Sequence, residues 1–471
     1  NNDKPKAEKK PFEITAHGDT RIDDYYWMRL TDDQKSKKGP DLQTKKVVDY
    51  IDLENEYTNE NLAHTKPLQE KLFKEITGRI KKDDSSVPYF ENGYYYYYRY
   101  EKDKEYAVYC RKKGSLDGVE EVYLDENELA DGHDYFAIGG MSISPNNAWL
   151  AYGVDTLSRR FYEIFFKNLK TGEIIKETIP NTTGYVAWAN DNKTIFYTSK
   201  NQVTLLSEKI FRHSLRSDFK KDVLVYHEKD DSFYIGVQRS KSGEYIIIYN
   251  SSTLVSDYHI LKADNPSGKF KNFSPRGTEH EYDISHYKDK FYILTNLNAK
   301  NKRLMETNED KTEISNWKEV IPHDDKIHLL SMRIFQNYIV INERKDGLRG
   351  LKIINQTSGK SHRMSFDEDS YSARFSINEE FKTNILRYNY NSMTAPRSTY
   401  DYNMDTREQI LMKQQEVVGG YDQNLYLSER IYVEARDGNL IPVSMVYRKD
   451  KKTDVPQNLL LYAYGSYGST M

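Results

Sequence analysis

The chain has 471 residues and a formal net charge of −3 at pH 7, with 69 Lys and Arg interleaved among 72 Asp and Glu. That length exceeds what one ordinary core holds and calls for several domains or a repeat array. The near-neutral, interleaved charge excludes broad electrostatic capture of nucleic acid, and with no apolar run near ~20 residues there is no membrane-spanning helix. A lone cysteine, Cys110, excludes an internal disulfide framework and any cysteine-built zinc site, and is expected to be a buried structural thiol. The 40 tyrosines, in a chain that is 13% aromatic, favour extensive β-structure with many half-exposed positions.

The opening NNDKPKAEKKP is a charged leader without an apolar core of the signal-peptide kind. In the following PFEITAHGDTRIDDYYWMRL, Tyr25, Tyr26 and Trp27 stand beside Asp23 and Asp24, as in an extended segment that pins its rings into a core. Helical spacing then marks two helices, one by Val47, Val48, Ile51 and Leu62, the other by Leu68, Leu72, Phe73, Ile76 and Ile80 with Pro67 in a first turn. Neither finds a partner for its apolar stripe within residues 1–81, so both are expected to pack on something later in the chain.

From Val87 onward the period changes to that of strands, and one unit recurs. Aromatic or β-branched strands begin at Tyr94, Trp149, Thr194, Tyr245, Lys290, Tyr338 and Thr383, each with a companion about ten residues on, beginning at Tyr106, Tyr162, Lys209, Asp257, Arg303, Gly350 and Ser398. The spacing of roughly 45 to 55 residues is that of four-stranded propeller blades. A seven-bladed β-propeller over residues 82–415 is therefore expected.

Chemistry is sparse inside the repeat. His323 and His328 bracket Asp324 and Asp325, but in a polar loop between strands, which reads as solvated rather than metal-binding. Neither HExxH nor a glycine-rich phosphate cradle occurs, so no metal or cofactor is expected. The nearest approaches to the GxSxG nucleophile elbow are Gly140 to Ser144, which lacks the second glycine, and Gly465 to Ser469, where Ser466 is out of register. No catalytic serine is recognisable.

The last stretch reads as two antiparallel strands, Ile431 to Ala435 and Ile441 to Tyr447, around the turn Arg436 to Asn439. The apolar run Leu459 to Tyr462 then reads as a strand buried on both faces that delivers Tyr464 into the loop Gly465 to Gly468. Such an order opens an α/β-hydrolase sheet, in which Ser, Asp and His come later.

HGDTRIDDYYWMR at 17–29, the seven repeats, IYVEARDGNLIPVSMVYRKD at 431–450 and YAYGSYGS at 462–469 together resemble the oligopeptidase B branch of the prolyl oligopeptidase family of serine peptidases. One departure is Ala463, where that family usually has glycine. The resemblance implies a mainly β chain in which the propeller is inserted between an N-terminal helical segment, residues 1–81, and the first strands of an α/β-hydrolase domain, residues 416–471. Residues 1–81 would pack on that domain. It implies hydrolysis of short peptides after Arg or Lys, with the propeller restricting substrate size and Tyr464 donating to the oxyanion. The partners implied are short basic peptides and the remainder of the hydrolase domain, with no nucleic acid, no membrane span and a soluble cytoplasmic or periplasmic setting. The Ser/Asp/His triad is absent from these residues, so the chain alone is expected to be inactive. A prolyl-specific peptidase of the same family and a non-catalytic propeller scaffold are the alternatives.

Overall fold

His17 (φ 55°) and Gly18 (φ 81°) both occupy left-handed backbone, which a two-residue hairpin loop of the I′ kind requires. They join Phe12–Ala16 to Asp19–Asp23 in antiparallel register in a computed structural model that describes residues 3–36, 39–277 and 280–470. Phe12 stacks on Tyr26 at 4.1 Å between centroids, and the Trp27 indole donates to the Glu8 carbonyl at 2.8 Å. Tyr25 is nevertheless 44% exposed, and Tyr26 and Trp27 are only half-buried. The expected core segment is thus a surface hairpin followed by the 3-10 turn Tyr26–Met28, because burying those rings would take Asp23 and Asp24 out of water with them.

Two helices follow as expected. Leu42–Asn61 starts where the Asp41 carboxylate accepts the Thr44 backbone N–H at 2.8 Å, and Lys66–Gly78 carries Pro67 in its first turn. Leu68, Leu72, Phe73 and Ile76 all remain exposed. Asn1–Ile80 forms one compact unit and Lys81–Met471 a second.

Among its described residues the second unit contains seven blades. The strands marked in the sequence are the middle two of each blade, as in Tyr94–Tyr100 with Ala107–Lys113 and Tyr338–Lys345 with Leu348–Asn355. Each pair is preceded by a further strand: Tyr89–Glu91, Ala137–Ile143, Ile179–Trp188, Tyr234–Arg239, Tyr282–Tyr287, Ile327–Ile334 and Tyr371–Phe375. Those first strands escape pattern reading because they line the axial channel and mix Gly, Ser and charged residues with apolar ones, as in AIGGMSI and YSARF. Ile179–Trp188 serves two blades. It pairs Ile164 through Ile179 and Tyr162 through Thr182, then bends at Gly184 (φ 85°) to pair Thr194–Lys200. A Cβ on Gly153 would lie 2.4 Å from the Gly184 Cα, so both glycines are needed where the strands cross closely.

Apolar cores sit between neighbouring blades at six of the seven junctions. Tyr96, Leu124, Leu150 and Tyr152 join blades 1 and 2, and Val340, Ile353, Leu386 and Tyr388 join blades 6 and 7. Corresponding clusters fill the four junctions between blades 2 and 6. Among the described residues the seventh junction, between blades 7 and 1, is polar. The Lys413 ammonium binds both Asp84 carboxylate oxygens at 2.7 and 2.8 Å, Arg387 donates to the Pro88 carbonyl at 2.6 Å, and Lys81 pairs with Glu416 at 3.1 Å.

A buried cation holds blade 2 to blade 3. The His213 imidazole has no exposed surface and lies 2.8 Å from Asp222 and 3.2 Å from Glu177. The Tyr197 hydroxyl also donates to Asp222, and the Arg216 N–H to Glu177. Burial opposes the imidazolium, but the two carboxylates outweigh it and hold its pKa at about 9. Because this lies above the unfolded value of about 6.5, the stabilisation is complete below that pH and is lost as pH rises through about 9. In chemical denaturation, the wild type should lose about 3 kcal/mol between pH 6.5 and 10 relative to the pH profile of His213→Gln.

Candidate functional site

Antiparallel pairing puts every turn between first and second strands at one end of the channel and every turn between second and third strands at the other. The hairpin Tyr426–Glu434 with Leu440–Arg448 lies at the second of these ends. There Arg430 donates to the Asp346 carbonyl, the Ser370 hydroxyl donates to that of Ser444 at 2.8 Å, and the Tyr421 hydroxyl donates to the Thr394 carbonyl at 2.6 Å. A cleft of about 470 Å³ opens beneath the hairpin, lined by Glu343, Asp346, Glu368, Asp369, Tyr371 and Arg430 with their neighbours. Glu343, with 4% of its side chain exposed, is held by Arg363, and Glu368 accepts from the Thr394 hydroxyl at 2.7 Å.

The loop that carries Tyr464 reaches the same end. The Gly468 carbonyl accepts from the Arg344 guanidinium, and a turn closes through the Ser469 N–H to the Ser466 carbonyl at 3.1 Å, with Tyr467 at φ 55° and Gly468 at φ 60°. Tyr464 is half-exposed, and among the described residues its hydroxyl has no hydrogen-bond partner. The expected buried strand at Leu459 to Tyr462 is not formed: these residues are extended coil, with Leu460 88% exposed. An apolar run becomes a strand only when flanking strands take up its N–H and carbonyl groups, and no such strand lies beside it among the described residues.

The opposite end is narrow and charged. Lys241, in the turn of blade 4, reaches over the Phe335 ring of blade 6 at 3.8 Å, passing the end of blade 5. Burial pushes its ammonium down to about 8, against the pull of Glu379. Burial, with Glu379 and Glu380 close by, pushes the Glu91 carboxyl up to about 7.

The remaining candidates are structural. The Asp324 and Asp325 carbonyls accept from the Asn301 amide at 3.0 and 2.8 Å, while His328 faces Arg344 and His323 is 3.8 Å from Asp325, so the four side chains do not converge. Glu244, His286 and Glu309 do converge, a grouping that sequence spacing could not show, but the Lys262 ammonium already sits 2.8 Å from Glu309 and 3.7 Å from Glu244. Cys110 is fully buried, its thiol pushed up to about 11 by burial and by Glu120. Ser144 is buried and donates to the Asn146 side chain, and the Ser142 carbonyl accepts the Trp188 indole. Among the described residues no helix is long and apolar enough to cross a membrane.

Residues 5–415 match the model of the prolyl oligopeptidase N-terminal β-propeller domain. The chain belongs to the prolyl oligopeptidase family. Over 99% of its length it is 40% identical to dipeptidyl aminopeptidase BI of Pseudoxanthomonas mexicana and 30% identical to protease 2 of Moraxella lacunata. It spans 65% and 66% of those two relatives. The structure of oligopeptidase B from Leishmania major superposes with a TM-score of 0.89 at 26% identity, covering 100% of this chain and 68% of that one. The mainly β propeller of this family is thereby established for this chain, as its sequence implied.

One ion pair in the cleft of this family member is asymmetric. Glu343 is buried whereas 45% of the Arg363 side chain reaches solvent. Arg363→Ala strands a buried carboxylate and should cost about 2–3 kcal/mol, while Glu343→Gln leaves a guanidinium that water can solvate and should cost about 1 kcal/mol. Urea midpoints of the two variants check this order, and equal losses would contradict it.

Proposed function

We propose that this chain is the propeller-bearing part of a serine oligopeptidase that hydrolyses short peptides after Arg or Lys. The reading rests chiefly on one arrangement: the 426–448 hairpin and the Tyr464–Gly468 loop both sit over one mouth of a channel whose other mouth is constricted. Residues 416–471 begin the peptidase domain. The propeller admits to the reaction space only peptides that fit its open mouth, a steric selection in which its own side chains do no chemistry.

In the complete enzyme a serine attacks the scissile carbonyl, a histidine carries the proton and an aspartate orients it. Tyr464 contributes its phenol O–H. It donates a hydrogen bond to the oxygen that becomes negative in the tetrahedral intermediate, beside a backbone N–H next to the serine.

Full-length protein should cleave internally quenched peptides after Arg and Lys whether or not their N-termini are acetylated, as read by mass spectrometry of the products. Residues 1–471 alone should give no turnover. Loss of cleavage on acetylation would instead favour removal of N-terminal dipeptides, the activity in the name of the relative that is 40% identical. Cleavage confined to proline sites would overturn the basic preference. In the same assay Tyr464→Phe should lower kcat roughly 100- to 1,000-fold with little change in KM or melting temperature. Unchanged kcat removes Tyr464 from the oxyanion role.

A further inference from the structure

The strands of blades 6 and 7 pair in register at one point, the parallel pair Arg349↔Ser372, and three guanidinium groups gather around it. Arg344 lies directly across the antiparallel ladder from Arg349. Arg374 donates through Nε to the Ser372 hydroxyl at 2.9 Å. His328 stands opposite Arg344, with Nδ1 3.1 Å from it, so that side of the cluster carries no acid either. The nearby Arg363 and Arg387 are paired with Glu343 and Asp401. Among the described residues, Arg344, Arg349 and Arg374 have no carboxylate within ion-pair distance.

Like charges facing one another across a ladder are destabilising. Arg349 bears most of that cost: its Nε is buried with no hydrogen-bond partner, and burial together with repulsion from Arg374 and Arg344 disfavours its charged form. An anion would relieve both faults at once, and a planar guanidinium fork matches a carboxylate bidentately. Arg344 also fixes the location, because it bonds the Gly468 carbonyl of the loop that carries Tyr464.

We propose that Arg349, flanked by Arg344 and Arg374, is a carboxylate-binding site at the open mouth of the channel that takes the C-terminal carboxylate of a short peptide substrate. This rests on the peptidase reading above. Every short peptide carries that carboxylate a few residues from any bond that is cut, whereas an internal segment of a folded protein has none. The cluster therefore supplies an affinity-based preference for short peptides in addition to steric exclusion, and Arg349 is a specificity residue outside the reacting atoms.

The test uses full-length protein and two short basic peptides with a reduced, uncleavable bond at the scissile position, identical except for a C-terminal carboxylate or carboxamide. By calorimetry the acid should bind about tenfold more tightly than the amide. Arg349→Met should bring the acid down to the amide without changing the amide, and Arg349→Lys should restore part of the difference. Wild-type affinities within about twofold of each other overturn the proposal. So does equal weakening of both peptides by Arg349→Met, the result if an acidic side chain of the protein itself fills the site. Discrimination that persists in a protein with no peptidase activity would sink the peptidase reading and leave the carboxylate site standing.

Discussion

Burial between neighbouring blades is the interaction on which the rest of this molecule depends, because a small antiparallel sheet has two faces and cannot cover either by itself. Residues such as Phe196, Ile248, Phe291 and Val340 are completely or almost completely removed from water, and each lies in a cluster drawn from adjacent blades. At roughly 1.5–3 kcal/mol for each large side chain fully buried, these clusters outweigh any of the surface ion pairs. They fix the angle between blades and hence the channel. The junction of blades 7 and 1 works differently, through Lys413 with Asp84, a partly exposed pair that water can replace at small cost, and through Arg387 with a backbone carbonyl. Among the described residues the ring thus has six junctions closed by apolar packing and one closed by polar contacts.

That frame makes the two channel ends chemically unlike. At one end Lys241 and Glu91 are drawn away from water and their charged forms disfavoured, in a constriction that a blade-4 lysine reaches across. At the other, the 426–448 hairpin and the Tyr464 loop lie over a cleft with buried Glu343 on one side and the Arg344, Arg349 and Arg374 cluster near the other. The strand pair Tyr338–Lys345 and Leu348–Asn355 presents alternate residues to opposite faces: Glu343 turns one way, Arg344 and Arg349 the other. A single step along the strand therefore separates the ion-paired Glu343 from the arginine cluster.

Much of this was legible in the sequence. Period-2 runs of Tyr, Ile and Val that recur seven times could only be blades, since each strand pair leaves an apolar face that the next must cover. The two helices were equally plain from their apolar spacing, and the start of the second from Pro67. The segment around Tyr25 to Trp27 and the run Leu459 to Tyr462 misled for one shared reason. Apolar or aromatic composition states a capacity for burial, and burial itself needs a covering partner that composition does not supply.

What the sequence determined by itself was the period, the blade count, the family motifs and the absence of a GxSxG elbow, all of which follow from local spacing along the chain. Only the tertiary structure decided which charges meet. The buried imidazolium of His213, the Lys262 ammonium among Glu244, His286 and Glu309, and the three arginines that have no carboxylate partner among the described residues where blades 6 and 7 touch each depend on residues brought together by blade packing. Electrostatic interaction falls with distance in space and has no dependence on separation in sequence, so no pattern read along the chain could reveal it.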